Sequence, residues 1–138
     1  MSTMSRRCIP YTPNRRPLAE TTIALVTTAG VHARNQPAFN PEGEKEFRII
    51  PNDVPTAELT ISHPYYDHTD ADRDINCVFP VDRLRELAAE GLIGGVNDFH
   101  IGFMGTSPRL REVYEETAPA IADRVERSKT DAVVLTAG

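Results

Sequence analysis

Two apolar runs constrain this chain more than anything else in it. Thr22-Ile23-Ala24-Leu25-Val26-Thr27, closed by Ala29-Gly30, and Asp131-Ala132-Val133-Val134-Leu135-Thr136 both read as strands buried on two faces. Continuous aliphatic and β-branched residues without alternation suit the inside of a parallel sheet. Between them the apolar period shifts from 2 to about 3.6, as it does where strands give way to helices. Residues 47–50, 59–62 and 99–104 predict three further strands. Pro80 opens a helix over 81–90, with Val81, Leu84, Leu87 and Ala88 on one face and Gly91 as the stop. Ser107-Pro108 supplies an N-cap and first-turn pair for a long helix, with Leu110, Val113, Tyr114, Ile121 and Val125 expected on its inner face and Pro119 interrupting it.

Strands alternating with helices imply right-handed βαβ units. The expected fold is therefore α/β, a mainly parallel sheet flanked by helices in a three-layer, flavodoxin- or Rossmann-like arrangement. At 138 residues, one domain over 21–138 is the natural division. A good parallel strand running into the last residues predicts a domain incomplete at its C-terminal side and part of a larger unit.

Residues 1–20 differ from the rest. They carry Arg6, Arg7, Arg15 and Arg16 against Glu20 alone, and three prolines, with no apolar period. This is expected to be a basic, flexible, solvated arm. Elsewhere acids dominate, giving a net charge of −5, which argues against general nucleic-acid binding because phosphate neutralisation needs a basic surface. No apolar run approaches the ~20 residues that span a bilayer, and no apolar leader follows the basic start. Two cysteines, Cys8 and Cys77, are too few for a disulfide framework and fit a reducing cytoplasm. Cys77, beside Val78 and Phe79, reads as a small buried hydrophobe.

The densest chemistry lies in His63-Pro64-Tyr65-Tyr66-Asp67-His68-Thr69-Asp70-Ala71-Asp72-Arg73-Asp74-Ile75-Asn76. Asp70, Asp72 and Asp74 alternate as at the start of a calcium loop. The glycine due at loop position 6 is however Ile75, and the glutamate due at position 12 is Val81, so that motif is rejected. His63 and His68 have no standard spacing to a third zinc ligand. The residues suit acid–base work, with His63, Asp67, His68, Asp70, Asp72 and Asp74 as catalytic candidates, but a surface loop using aspartate turn chemistry explains the composition equally well. Two other turns could present N–H groups to a carboxylate: Gly30-Val31-His32 after the first strand, and Met104-Gly105-Thr106-Ser107 between a strand and a helix. Gly30, His32, Asn76, Met104 and Gly105 are accordingly the substrate-binding candidates. No cofactor or metal is assigned to the chain.

Several segments, in order, then point to a family: Thr27-Thr28-Ala29-Gly30-Val31-His32, Phe47-Arg48-Ile49-Ile50-Pro51, His63-Pro64-Tyr65-Tyr66-Asp67 through Asn76, Val78-Phe79-Pro80 with Leu84-Arg85-Glu86-Leu87, Glu90-Gly91, Ile93-Gly94 and Phe103-Met104-Gly105. Over roughly 20–138 the chain resembles the selenoprotein B family of glycine, sarcosine, betaine and D-proline reductases. The resemblance implies an oxidoreductase component that cleaves a C–N bond at the α-carbon of a small or N-methylated amino acid. It implies a selenocysteine or cysteine nucleophile with dithiol/disulfide electron transfer, and in several members a pyruvoyl group on a partner subunit. The nucleophile would follow a terminal strand like Val133-Val134-Leu135-Thr136, so it is expected beyond Gly138 or on a second chain.

The isolated chain is then expected to be inactive, to need a second subunit or a further C-terminal segment, and to form homo- or hetero-oligomers. Two other readings stand beside this one: a non-catalytic binding or regulatory subunit of the same fold, and a metal-dependent hydrolase or lyase using His63, Asp67 and His68.

Overall fold

The computed structural model describes residues 12–138; the expected arm falls partly outside them, at 1–11. In chain order the elements are β1 (Thr22–Thr27), β2 (Val31–Ala33), β3 (Arg48–Pro51), β4 (Leu59–Ile61), α1 (Thr69–Arg73), α2 (Val81–Ala89), β5 (Gly95–Val96), β6 (Phe99–Gly102), α3 (Leu110–Glu112), a π turn (Val113–Thr117), α4 (Ala118–Glu126) and β7 (Ala132–Thr136).

β1 is the spine of the main sheet. On one side it pairs in parallel with β7 through five residues, from Ile23↔Ala132 to Thr27↔Thr136. On the other it pairs in parallel with β5 and then β6, which follow each other along the same edge. The two-residue break between them is bridged: the Asn97 N–H donates to Ile23 O at 2.9 Å, and the Leu25 N–H donates to His100 Nδ1 at 3.0 Å. β3 closes the far edge antiparallel to β6, and β2 with β4 forms a separate antiparallel pair. The sheet is thus mixed, with its parallel part built by β1, β5, β6 and β7.

Alternate β1 residues serve opposite faces. Ile23 and Leu25 join Val81 and Leu84 of α2 in the main core cluster. Val26, with Val133 and Leu135 of β7, instead faces Val113, Ile121 and Val125 across an apolar cleft of about 480 Å³. Helices therefore lie on both faces. The topology explains why. From β1 the chain steps through α2 to β5 on one side, then returns from β6 through α3 and α4 to β7 on the other. Right-handed crossovers in opposite directions put their helices on opposite faces. The direction reverses between β1 and β7, and in open α/β sheets ligands favour the crevice at the carboxyl ends of such a pair.

Three expectations about the long helix and its surroundings need adjusting. Pro119 cannot donate a helical hydrogen bond, and the chain absorbs this as a π turn over Val113–Thr117 rather than as a break. Val113, Ile121 and Val125 do face inward, but Leu110 and Tyr114 are 70 % and 81 % exposed. The inward row runs Val113, Thr117, Ile121, Val125 in steps of four, and Leu110 and Tyr114 lie off it. Cys77 is exposed rather than buried. The tight turn Ile75–Cys77 turns Val78 and Phe79 into the core and leaves the thiol outside.

A polar strut crosses the other end of the sheet. His100 is completely buried, its Nδ1 taken by Leu25 and its Nε2 donating to Asn52 Oδ1 at 3.0 Å. Burial, and then the charge of Arg85, push its pKa down to about 4, so the ring is neutral. Arg85 of α2 donates to the Asn52 and Val54 carbonyls and pairs with Asp82 at 2.9 Å. Among the described residues no helix is long and apolar enough to cross a membrane.

Candidate functional site

The carboxyl ends of β1 and β7 meet the segment that follows β4. Gly30, at φ +75°, lets the chain leave β1 in a left-handed turn, and its Cα hydrogen points at the 62–63 backbone. A β-carbon there would stand 2.6 Å from Ser62 O and 2.9 Å from His63 Cβ, so the missing side chain is what lets His63 approach. The Ser62 N–H donates to Gly30 O at 2.9 Å and fixes that approach.

Tyr66 follows. Its hydroxyl donates to Ala29 O at 3.1 Å, and its ring lies so close under Gly138 that a β-carbon on that glycine would overlap it. Burial, and then the charge of Asp72, raise the Tyr66 pKa to about 12. The His63 ring packs edge-on to Tyr66 at 4.9 Å between centroids and to Tyr65 at 6.2 Å. Its Nε2 lies 3.4 Å from the Thr106 hydroxyl, in the turn after β6. Burial, with nearby His68 adding, depresses the His63 pKa below the ordinary value. His68 stacks edge-on to Tyr66 at 5.5 Å, and its Nδ1 is 2.7 Å from Asp72 Oδ2, one turn further along α1. Two strands are tied to the next loop at this end: the Thr27 and Thr136 hydroxyls both donate to the Val78 carbonyl, at 3.1 and 2.6 Å.

The acidic segment therefore sorts into three groups. His63, His68 and Asp72 stand with Tyr66 at the sheet edge. Asp67 accepts from the Thr69 N–H and hydroxyl at 3.0 and 2.6 Å, and those bonds hold its carboxyl below the usual range. Asp74 does the same for Asn76, accepting at 3.0 and 2.9 Å, again with a lowered pKa. Asn76 in turn accepts from the Asp82 N–H and donates to the Asp82 carboxylate, stitching the turn to the start of α2. Asp70 points to solvent with only a 3.4 Å contact to Arg73.

The glycine turns differ from their expected use. The Gly30 N–H donates to Phe103 O and the Gly105 N–H to Thr28 O, both at 2.9 Å, so neither is free for an anion. His32 is buried with both ring nitrogens occupied, by Ala33 O at 2.9 Å and the Ser62 hydroxyl at 2.7 Å. Met104 is a fully buried core residue bridged to Ala29. Among the described residues no group of three His, Cys, Asp or Glu side chains converges as metal ligands do, so His63, Asp67 and His68 form no such triad.

Sequence reasoning did not single out Tyr66, Thr136 or His100. Tyr66 was visible only as part of the cluster. The other two owe their partners to residues 58 and 75 positions away, and no local pattern announces them.

Comparison with known proteins places these features in context. The chain is 44 % identical over 128 residues to D-proline reductase subunit gamma of Acetoanaerobium sticklandii, covering 93 % of this chain and 53 % of that protein. It is 31 % identical over 134 residues to glycine reductase complex component B subunit gamma of Carboxydothermus hydrogenoformans, covering 93 % of this chain and 30 % of that one. Identity to betaine reductase complex component B subunit beta of Peptoclostridium acidaminophilum is 30 % over 128 residues, covering 86 % and 28 %. The chain thus spans about half the length of the first relative and under a third of the other two. No solved structure matches it. Residues 2–138 match the profile of the glycine/sarcosine/betaine reductase selenoprotein B group, and the chain belongs to that family.

Proposed function

We propose that this chain is the substrate-facing part of a reductase subunit that cleaves a C–N bond of a small amino acid, its crevice lying between the carboxyl ends of β1 and β7. The observation that carries this reading is the seat of Gly138 on the Tyr66 ring, beside His63 and the His68–Asp72 pair. A residue following Gly138 would emerge over that cluster. In this proposal the nucleophile that works over that cluster is a cysteine or selenocysteine, supplied either by a further segment or by a second chain.

The chemistry suits the groups present. The nucleophile's anion forms a bond to the α-carbon while the C–N pair leaves with nitrogen. A second thiol then releases the carbon, which takes a proton, and the two chalcogens join as an oxidised pair that an external dithiol reduces. His63, whose pKa burial lowers, takes the nucleophile's proton. Asp72, through His68, offers negative charge to the substrate ammonium. Asp67 and Asp74 hold the turns that position these groups. A pyruvoyl group would reside on a partner subunit, and the dependence on thiols sets the reaction in the cytoplasm. The parallel strands, with β1 between β7 and the β5/β6 edge, would be the start of a flavodoxin-like three-layer sheet. D-proline is the first substrate to test, given the 44 % identity to the D-proline reductase subunit.

The test is dithiol-dependent turnover of D-proline, glycine, sarcosine and betaine by the assembled reductase and by the 138-residue chain alone. The assembly should act on at least one and the isolated chain on none. An assembly inert to all four, or activity in the isolated chain, refutes the proposal.

A further inference from the structure

We infer that Thr136 is a positioning residue for the crevice, its hydroxyl fixing where the chain leaves β7 on the way to Gly138. The inference rests on the reductase reading above, with the nucleophile carried on the segment that follows Gly138. Thr27 and Thr136 stand opposite each other in the parallel register of β1 and β7, so their side chains leave the same face. Both hydroxyls donate to one acceptor, the Val78 carbonyl, at 3.1 and 2.6 Å. A carbonyl oxygen has two lone pairs, enough for both donors. The acceptor is itself fixed, because Val78 is buried and Phe79 beside it completely so. Thr27 is fixed too: it is fully buried, and its oxygen also accepts from the Ala29 N–H at 3.2 Å. The carbonyl of that same Ala29 takes the Tyr66 hydroxyl.

Packing does little to hold this end of β7. Val133 and Val134 are 38 % and 37 % exposed and Leu135 is 76 % exposed, so the residues leading to Thr136 have few neighbours. Backbone pairing also stops here. The Thr28 N–H donates to Thr136 O at 3.0 Å, and among the described residues no backbone hydrogen bond holds Ala137 or Gly138. Thr136 is the one polar side chain of β7, and its hydroxyl is the tether at the point where the ladder ends. Without that tether the strand end can pivot about its backbone bonds. A displacement of about 1 Å at a reacting group costs on the order of a hundredfold in rate. His63 and the His68–Asp72 pair make no hydrogen bond to Thr136 and keep their places, so the loss falls on kcat rather than on substrate binding.

Two variants of the assembled reductase test this. Thr136→Val removes the hydroxyl and keeps the branched shape; Thr136→Ser keeps the hydroxyl. Each is compared with the native assembly for dithiol-dependent turnover of D-proline, glycine, sarcosine and betaine, and for hydrogen exchange in the peptide that contains Gly138. On every substrate that the native assembly accepts, Thr136→Val should lose about tenfold or more in kcat with KM within about twofold of native. Thr136→Ser should keep kcat within about threefold of native. Exchange at 137–138 should rise in Thr136→Val and stay native in Thr136→Ser. A kcat in Thr136→Val within about twofold of native overturns the inference, as does an equal loss in both variants or a loss carried by KM. Unchanged exchange in Thr136→Val overturns it too. A native assembly inert to all four substrates refutes the reductase reading instead, and the exchange comparison still decides whether the Thr136 hydroxyl holds this segment in place.

Discussion

The backbone of Gly138 rests on the ring of Tyr66, and the Tyr66 hydroxyl is anchored to Ala29 at the end of the central strand. One side chain thus joins the ends of β1 and β7, where the crossover direction of the sheet reverses. The three-part contact between Gly138, Tyr66 and Ala29 holds this edge of the sheet together.

Removing the hydroxyl isolates that role. Tyr66→Phe keeps the ring under Gly138 but leaves Ala29 O without its donor, and should cost about 1 kcal/mol in urea unfolding. Tyr66→Ala also removes the ring and should cost about 3 kcal/mol. Equal stability of the two variants would show that the ring contact contributes nothing.

Gly30 is the second constraint. Gly30→Ala must place a β-carbon at φ +75°, 2.6 Å from Ser62 O. The strain and the displaced 62–63 segment should together cost roughly 2–3 kcal/mol. In the assembled reductase the variant should lose more activity than stability, because His63 moves with the backbone. Gly91 is the control: it has positive φ, but a β-carbon there meets nothing, so Gly91→Ala should carry only the conformational cost.

The parts legible in the sequence are those with a local cause. The strands at either end of the chain, the Pro80–Gly91 helix and the clustering of chemistry in 63–76 follow from apolar period, caps and turn residues. But β7, expected to be buried on two faces, leaves Val133, Val134 and Leu135 exposed, and α4 stands off Val133 and Leu135 across the apolar cleft. Other parts depend on what the chain meets when folded. β2 and β5 are too short to carry a pattern, and each exists because a partner strand, β4 or β1, supplies its hydrogen bonds. The sorting of six candidate acids and histidines into edge groups and turn caps had the same obstacle. Asp72 and Asp74 are two residues apart with the same composition around them, yet one meets His68 and the other meets Asn76. Gly30 and His32 were reasonable anion-binding candidates until Phe103 and Ser62, more than 25 residues away in sequence, took their donors and acceptors.

His100 sets an acid limit on the fold. Its pKa is lowered from 6.5 to about 4 in the folded state, so between those values the unfolded chain binds the extra proton. Stability from this group is therefore fully present above pH 6.5 and falls as pH drops toward 4, by about 1.4 kcal/mol per pH unit. Urea midpoints at pH 7, 6, 5 and 4.5 should show that slope. His100→Gln can still accept from Leu25 or donate to Asn52, and should be less stable at pH 7 with a flatter profile. An unchanged slope in that variant would assign the acid sensitivity elsewhere.

The central claim is that the residues at the β1–β7 edge act on substrate while their acidic neighbours only shape the turns. The most direct measurement is dithiol-dependent kcat/KM of the assembled reductase carrying His63→Gln, against the same assembly carrying Asp74→Asn, whose amide still caps Asn76. His63→Gln should lose about a hundredfold or more with its fold intact, the loss expected on removing a proton-transfer group, and Asp74→Asn should stay within about twofold of native. Full turnover in His63→Gln, or an equal loss in Asp74→Asn, would contradict the assignment.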